Sequence, residues 1–182
     1  MKKLVLSFFA ILAALSLQAQ EEDSHNFELG IGSGLTFITK NDISRNPGVL
    51  VYGEYRYALS DHFDVGAQIN YSYSSGTYEA KPAAFNQAEL MLVADWNILS
   101  SGKMRPFIGV GLGAGYASYK DKPSDVKYKY ILGIADPRLG VQFGDHFRVA
   151  FDVNLAIERA SQKEFRISAP FALIGMKLGW VF

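Results

Sequence analysis

The sequence predicts an all-β fold, an eight-stranded antiparallel up-and-down transmembrane β-barrel, and three observations carry that prediction. Eight segments after residue 26 alternate apolar residues with polar ones or glycine at a period of two. A strand puts successive side chains on opposite faces, whereas a helix would smear such a pattern around its circumference. Second, no later apolar run suits a spanning helix: the longest after residue 20 is Leu90–Ala94, five residues, against the roughly 17 that a bilayer demands. Third, aromatic residues gather at both ends of the alternating segments, where two lipid–water interfaces would place them. A sheet crosses a membrane only when closed, because an open edge leaves backbone N–H and C=O groups unpaired in hydrocarbon.

The composition fits one domain and excludes much else. The 182 residues are 49% apolar and 14% aromatic, too apolar for a disordered chain. Basic and acidic residues number 18 each, so there is no cationic field to hold nucleic acid. The absence of Cys removes disulfides, thiolate metal sites, catalytic thiols and lipid attached to a Cys.

Residues 1–19 read as a cleaved signal peptide. Lys2 and Lys3 precede the apolar stretch Leu4–Leu17, and Leu17-Gln18-Ala19 offers a small-residue cleavage site. Fourteen residues rise about 21 Å as a helix, short of the hydrocarbon core of about 30 Å. Removing Lys2 and Lys3 leaves 16 basic residues against 18 acidic ones. Residues 20–26 then form a short periplasmic lead and residues 27–182 the barrel domain.

The strands follow in order. Phe27–Thr39 puts Phe27, Leu29, Ile31, Leu35 and Phe37 on one face, with Glu28, Gly30, Gly32 and Gly34 on the other. Val49–Leu59 sets Val49, Val51, Tyr55, Tyr57 and Leu59 against Glu54 and Arg56. Phe63–Ser74 sets Phe63, Val65, Ala67, Ile69, Tyr71 and Tyr73 against Asp64, Gly66, Gln68, Asn70 and Ser72. Asn86–Leu99 alternates Leu90, Leu92, Ala94, Trp96 and Ile98 with Gln87, Glu89, Asp95 and Asn97. Phe107–Tyr119 alternates Ile108, Val110, Leu112, Ala114 and Tyr116 with Gly109, Gly111, Gly113 and Gly115. In Tyr128–Phe143 the apolar row starts on Tyr128, Tyr130, Leu132 and Ile134 and ends on Leu139, Val141 and Phe143. Asp136-Pro137 lies at the change of phase, which predicts a β-bulge there. Phe147–Glu158 sets Phe147, Val149, Phe151, Val153, Leu155 and Ile157 against Arg148, Asp152, Asn154 and Glu158. The last strand alternates Ile174, Met176, Leu178, Trp180 and Phe182 with Gly175, Lys177, Gly179 and Val181.

Connections alternate in length. Lys40–Asn46, Ser75–Ala84 and Lys120–Lys127 read as outer loops of 7, 10 and 8 residues, and Ser161–Glu164 as one of 4. Ser60–His62, Ser100–Arg105 and Gly144–His146 read as periplasmic turns of 3, 6 and 3. An even strand count with short turns on one side keeps both termini in the periplasm. That orientation puts Phe27, Tyr57, Phe63, Trp96, Phe143, Phe147, Trp180 and Phe182 at the periplasmic rim. Phe37, Tyr71, Tyr73, Tyr116 and Tyr128 fall at the outer rim.

The second row of each strand then faces the lumen. Its charges are Glu28, Glu54, Asp64, Asp95 and Asp152 with Arg56, Arg138, Arg148 and Lys177, all toward the periplasmic half. Eight strands enclose only enough room for side chains, so these charges must pair. Arg56 is expected one diagonal step from Asp64, and Arg148 near Lys177 and Asp152. A packed plug and a narrow gated path both fit this row.

Other chemistry finds little support. Gly109, Gly111, Gly113 and Gly115 continue a period of two into Tyr116, unlike the turn-to-helix glycines of a nucleotide loop; they open space for large neighbours. His25, His62 and His146 are dispersed and fall at the periplasmic side, so they form neither a zinc site nor a hydrolase at the outer leaflet. No catalytic residue, metal site or cofactor is expected.

A signal peptide, eight alternating strands and the terminal Leu178-x-Trp180-x-Phe182 resemble the small outer-membrane β-barrels of Gram-negative bacteria, of the OmpX, OmpA-membrane-domain and porin-like type. The resemblance covers the whole mature chain and implies location in the outer membrane, with contacts to its lipid and lipopolysaccharide. It also implies the export channel, periplasmic chaperones and the barrel-insertion machinery as partners, with Leu178, Trp180 and Phe182 as the insertion signal. No external ligand is implied. The expected role is non-enzymatic, structural or surface-interacting, since such barrels host adhesins, anchors, pores and lipid-modifying enzymes alike. The soluble alternative, a lipocalin-like periplasmic barrel, would turn its apolar row inward.

An internal echo remains. Asp61-His62-Phe63-x-Val65 with Asn70 matches Asp145-His146-Phe147-x-Val149 with Asn154, 84 residues on. Gly30, Gly32 and Gly34 likewise match Gly109, Gly111 and Gly113. Duplication of a four-strand half and convergence of similar hairpins both account for it.

Overall fold

The computed structural model describes residues 25–37, 43–45, 47–78, 81–121, 127–158 and 171–182; the expected signal peptide and the Ser161–Glu164 loop lie outside them. The strands are β1 (His25–Phe37), β2 (Ile43–Arg45), β3 (Gly48–Ser60), β4 (Phe63–Tyr78), β5 (Lys81–Asn97), β6 (Met104–Asp121), β7 (Lys127–Phe143), β8 (Phe147–Glu158) and β9 (Phe171–Val181). Every pairing is antiparallel. The order β4-β3-β1-β9-β8-β7-β6-β5 closes through the β4–β5 ladder. This is an eight-stranded up-and-down barrel. The short β2 adds no stave: it pairs with the outer end of β4, Ile43 opposite Tyr78 and Arg45 opposite Gly76.

Closure leaves no sheet edge within the barrel, which is what makes it compatible with hydrocarbon. The seam between the two ends is β1–β9, from Glu28↔Val181 to Phe37↔Ala172. Beyond its last rung the Phe182 amide donates to the Phe27 carbonyl at 2.8 Å. The turns from β5 to β6 and from β7 to β8 use glycine where the chain reverses: Gly102 has φ +115° and Gly144 φ +58°, values that side chains with a Cβ rarely tolerate.

The two-residue period separates outside from inside on every stave. Outward Ile31, Val51, Ile69, Leu90, Leu92, Leu112, Leu139, Phe151, Ile174 and Trp180 are exposed. Inward Leu50, Tyr52, Glu54, Arg56, Gln68, Asn70, Met91, Val93, Asp95, Phe107 and Lys177 are buried. The apolar row therefore lies outside and the polar row inside, opposite to a lipocalin-like arrangement.

Four expectations need correction. Ser75–Ala84 is not a ten-residue loop: the β4–β5 ladder runs unbroken to Tyr78↔Lys81. Nor is Lys120–Lys127 all loop, since β6 and β7 pair out to Lys120↔Lys127. Lys40–Asn46 contains β2. The Ser, Gly, Thr and Pro content of these stretches resembles turn chemistry, but pairing with a neighbouring strand outweighs that local preference.

The fourth concerns β7. No bulge occurs at Asp136-Pro137, because the β6–β7 register is continuous through Gly111↔Asp136 and Val110↔Pro137. On the other side, Ala135↔Leu155 is followed by Arg138↔Asp152 in the same register, with two rungs missing between them. Proline has no N–H to give the ladder, so it interrupts pairing without shifting it. The phase never changes. Leu132, Ile134, Asp136 and Arg138 all point inward and are buried.

Candidate functional site

The inward rows meet along the barrel axis in three polar clusters and one apolar layer. Arg138 is the centre of the first. Its Nε and Nη2 donate to the two oxygens of Asp95 at 2.8 Å each. Its Nη1 and Nη2 donate to Glu54 at 2.6 and 3.0 Å, and Nη1 also reaches Gln68 Oε1 at 3.0 Å. Such a planar fork suits two carboxylates at once. Arg56 Nη2 donates to Glu28 Oε2 at 2.8 Å, with Nε 3.2 Å from Glu54 Oε1. Arg148 Nη2 bonds Asp95 Oδ2, its guanidinium lying 3.6 Å over the Phe107 ring. The Tyr52 hydroxyl donates to Glu28 Oε1. Three arginines thus face three carboxylates, all buried.

The second cluster is built on Lys177, whose Nζ lies 2.8 Å from Asp152 Oδ2 and 3.4 Å from Asp136 Oδ2. In the third, Glu89 accepts from Asn70 Nδ2 at 2.8 Å, from Asn154 Nδ2 at 3.0 Å and from Gln87 Nε2. Gln68 Nε2 donates to Asn70 Oδ1 at 2.8 Å, so Gln68 joins this cluster to Arg138. Packed with them are Met91, Val93, Leu132 and Ile134, a buried apolar layer.

Glycines make this filling possible. A Cβ on Gly30 would overlap the Tyr52 ring, one on Gly140 the Phe107 ring, and one on Gly113 the Leu90 carbonyl and Met91. The inward glycines are the floors on which large side chains from neighbouring staves lie.

Of the nine lumen charges expected from sequence, eight meet in these clusters: Glu28, Glu54, Arg56, Asp95, Arg138 and Arg148 in the first, Asp152 and Lys177 in the second. Asp64 stands apart, half-buried beside the turn from β3 to β4, accepting from Asn97 Nδ2 at 2.9 Å. Arg56 does not pair with it. The β3–β4 register puts Arg56 opposite Gly66, so Asp64 is one diagonal step away as expected; Arg56 also stands opposite Asn26 of β1, which sets Glu28 one diagonal step away on the other side, and it is Glu28 that it bonds. Arg148 likewise turns to Asp95 rather than to Asp152. Sequence reasoning missed Asp136, because the supposed bulge hid its face. Glu89 shares the inward parity of Asp95 and was legible from that alone.

The residues expected to form the insertion signal occupy the outward row of β9: Leu178 is half-buried, and Trp180 and Phe182 are exposed at the rim that carries the His62 and His146 turns. The histidines are at that same rim. His62 Nδ1 is 2.8 Å from the Asn97 carbonyl and His146 Nδ1 3.0 Å from that of Val181; His25 contacts the Tyr55 hydroxyl. Among the described residues no group of His, Cys, Asp or Glu is arranged to hold a metal ion, and no helix is long and apolar enough to cross a membrane.

Solved structures of similar shape are outer membrane barrels. Ail, the attachment invasion locus protein of Yersinia pestis, superimposes with a TM-score of 0.53 at 11% identity, covering 88% of this chain and 100% of Ail. Neisserial surface protein A gives 0.56 at 11% identity, covering 86% and 97%. The outer membrane enzyme PagL gives 0.51 at 9% identity, covering 84% and 97%. At these identities the likeness is one of fold. No curated protein sequence matches the chain. The family model for the outer membrane protein beta-barrel domain matches residues 7–182. With its apolar row outside, its charges inside and its sheet closed, the chain belongs to that family of outer membrane β-barrels.

Proposed function

We propose that this barrel is non-enzymatic, with a lumen filled by side chains, and that it serves a structural or surface-interaction role. The observation that carries the reading is the cross-lumen network around Arg138, where guanidinium and carboxylates occupy the axis itself. A charge network of this kind holds the staves together and leaves little room for solute passage. The outer end supports surface interaction, since β4–β7 continue as paired strands beyond the exposed Tyr71, Tyr73 and Tyr116. Delivery completes the proposal: residues 1–19 direct export, and Leu178, Trp180 and Phe182 are read by the insertion machinery. The outward face meets outer-membrane lipid and lipopolysaccharide.

Planar-bilayer recording of the purified barrel tests the reading. The expected trace has no resolved single-channel steps, and overexpression leaves the mass of lipid A unchanged. Reproducible steps in the unmodified protein would instead support a narrow gated pore. One observation favours that second reading: Arg56 Nε, Asp136 Oδ1, Arg148 Nη1 and Asp152 Oδ1 are buried without hydrogen-bond partners, positions that a file of water would satisfy.

A further inference from the structure

The echo at 84 residues extends from sequence into register. Adding 84 to both members of a β3–β4 pair yields a β7–β8 pair: Glu54↔Gln68 becomes Arg138↔Asp152, and Tyr57↔Val65 becomes Val141↔Val149. The same operation carries β4–β5 onto β8–β9, where Phe63↔Trp96 becomes Phe147↔Trp180 and Gly66↔Val93 becomes Ala150↔Lys177. Gly30 falls on Gly109 at an offset of 79, and with that offset β9–β1 matches β5–β6: Leu29↔Trp180 corresponds to Ile108↔Trp96. At the remaining seam, Phe27↔Tyr55 predicts Pro106↔Leu139, whereas Pro106 pairs with Val141. That two-residue difference keeps every face.

Contacts outside the ladders repeat too. The Asn97 amide donates to the His62 carbonyl at 2.7 Å, and the Val181 amide to the His146 carbonyl at 2.7 Å. Each histidine returns a ring nitrogen to the carbonyl of the residue it clasps. In the strand order each equivalent pair, β1 with β6 and β3, β4, β5 with β7, β8, β9, stands four staves apart, diametrically opposed. Opposed positions compete for one axial volume, and their residues are complementary: Arg56 with Gly140, Met91 with Gly175, Asp95 with Gly179, and Glu54 with Arg138. Convergent turn sequences would fix the register of the β3–β4 and β7–β8 hairpins, but neither the match of β4–β5 to β8–β9 nor this division of the lumen.

We infer that the barrel is an internal duplication of a four-stranded unit, in which β5 is built as a barrel-closing terminal strand equivalent to β9. Ile98 is then the counterpart of Phe182, and Met104, where β6 begins, the counterpart of His25. The five residues Leu99–Lys103 that join Ile98 to Met104 should therefore bridge Phe182 to His25.

A circular permutant tests this: Met104–Phe182, the linker Leu-Ser-Ser-Gly-Lys, then His25–Ile98, refolded from urea into detergent micelles. The inference expects heat-modifiable gel mobility and a denaturation midpoint equal to that of the parent, with loss of both when the linker is a single glycine. A five-residue permutant that stays unfolded, or that needs a longer linker, overturns it. In the intact chain, His62→Ala and His146→Ala should both lower the midpoint, His146→Ala by more because its ring also stacks on Trp180 at 5.3 Å. A shift confined to one of them overturns the equivalence of β5 and β9 whatever the permutant does.

Discussion

Glu54 and Arg138 lie 84 residues apart on opposed staves, and two N–H···O bonds of 2.6 and 3.0 Å join them across the lumen. Neither ladder brings them together. Their meeting follows from the narrowness of an eight-stranded barrel, in which inward side chains from facing strands share one space. Arg138→Met would leave Glu54 and Asp95 in that space with Arg56 and Arg148 alone to offset them, with an expected loss of about 3–5 kcal/mol. Urea unfolding in micelles, read by gel mobility, measures it; a loss near zero would show that the network is not structural.

Arg56→Met should cost more alone than together with Glu28→Gln. The single change leaves Glu28 buried beside Tyr52 without its guanidinium, 2.8 Å away in the parent; the double change removes the uncompensated charge. Unfolding midpoints of the two variants and the parent decide it, and equal losses would argue against a direct Arg56–Glu28 pair.

Glycines on one strand should differ sharply. On β6, Gly113→Ala drives a methyl into the Leu90 carbonyl and Met91, both fixed by the β5 ladder. At Gly111 the nearest atom to an added methyl is Asp136 Cβ at 3.3 Å. Overpacking at Gly113 should cost about 1–3 kcal/mol, with Gly111→Ala well below it. Thermal melting in micelles ranks the two, and the reverse order would show that the lumen packs differently.

Leu92→Arg should harm the barrel more than Leu178→Arg. Leu92 is 73% exposed on the outward face of β5, five residues from that strand's end, whereas Leu178 lies two residues from Trp180 at the rim. An Arg costs about 2–4 kcal/mol at the bilayer midplane and little near an interface. Folding yield into lipid vesicles should follow that order; equal yields would mean that the membrane sits lower on the barrel.

The sequence made the staves and their sidedness legible because lipid and lumen impose opposite demands on alternate residues. Inward Glu54 and outward Tyr55 are separable by parity alone. Strand β7 was the exception. Leu132 and Ile134 are apolar yet face inward, so hydrophobicity there reported the lumen's apolar layer rather than lipid, and Pro137 supplied a false reason for a change of phase. Pairing across the lumen was not legible either. Asp64 on β4 and Glu28 on β1 each lie one diagonal step from Arg56, so parity and hairpin register leave the choice open; Glu54 and Tyr52 complete the cluster on the Glu28 side. The extra rungs beyond Ser74 and Tyr119 were hidden because their residues favour turns when taken singly.

Seven of the eight ladders join staves that follow one another in sequence, and the eighth, β1–β9, joins the first stave to the last. Without β9 the sheet has two raw edges, on β1 and on β8, and a single strand heals both. Seven staves therefore make an open sheet, and its unpaired amides and carbonyls are what hydrocarbon does not tolerate. Entry into the bilayer and arrival of the last strand become one event.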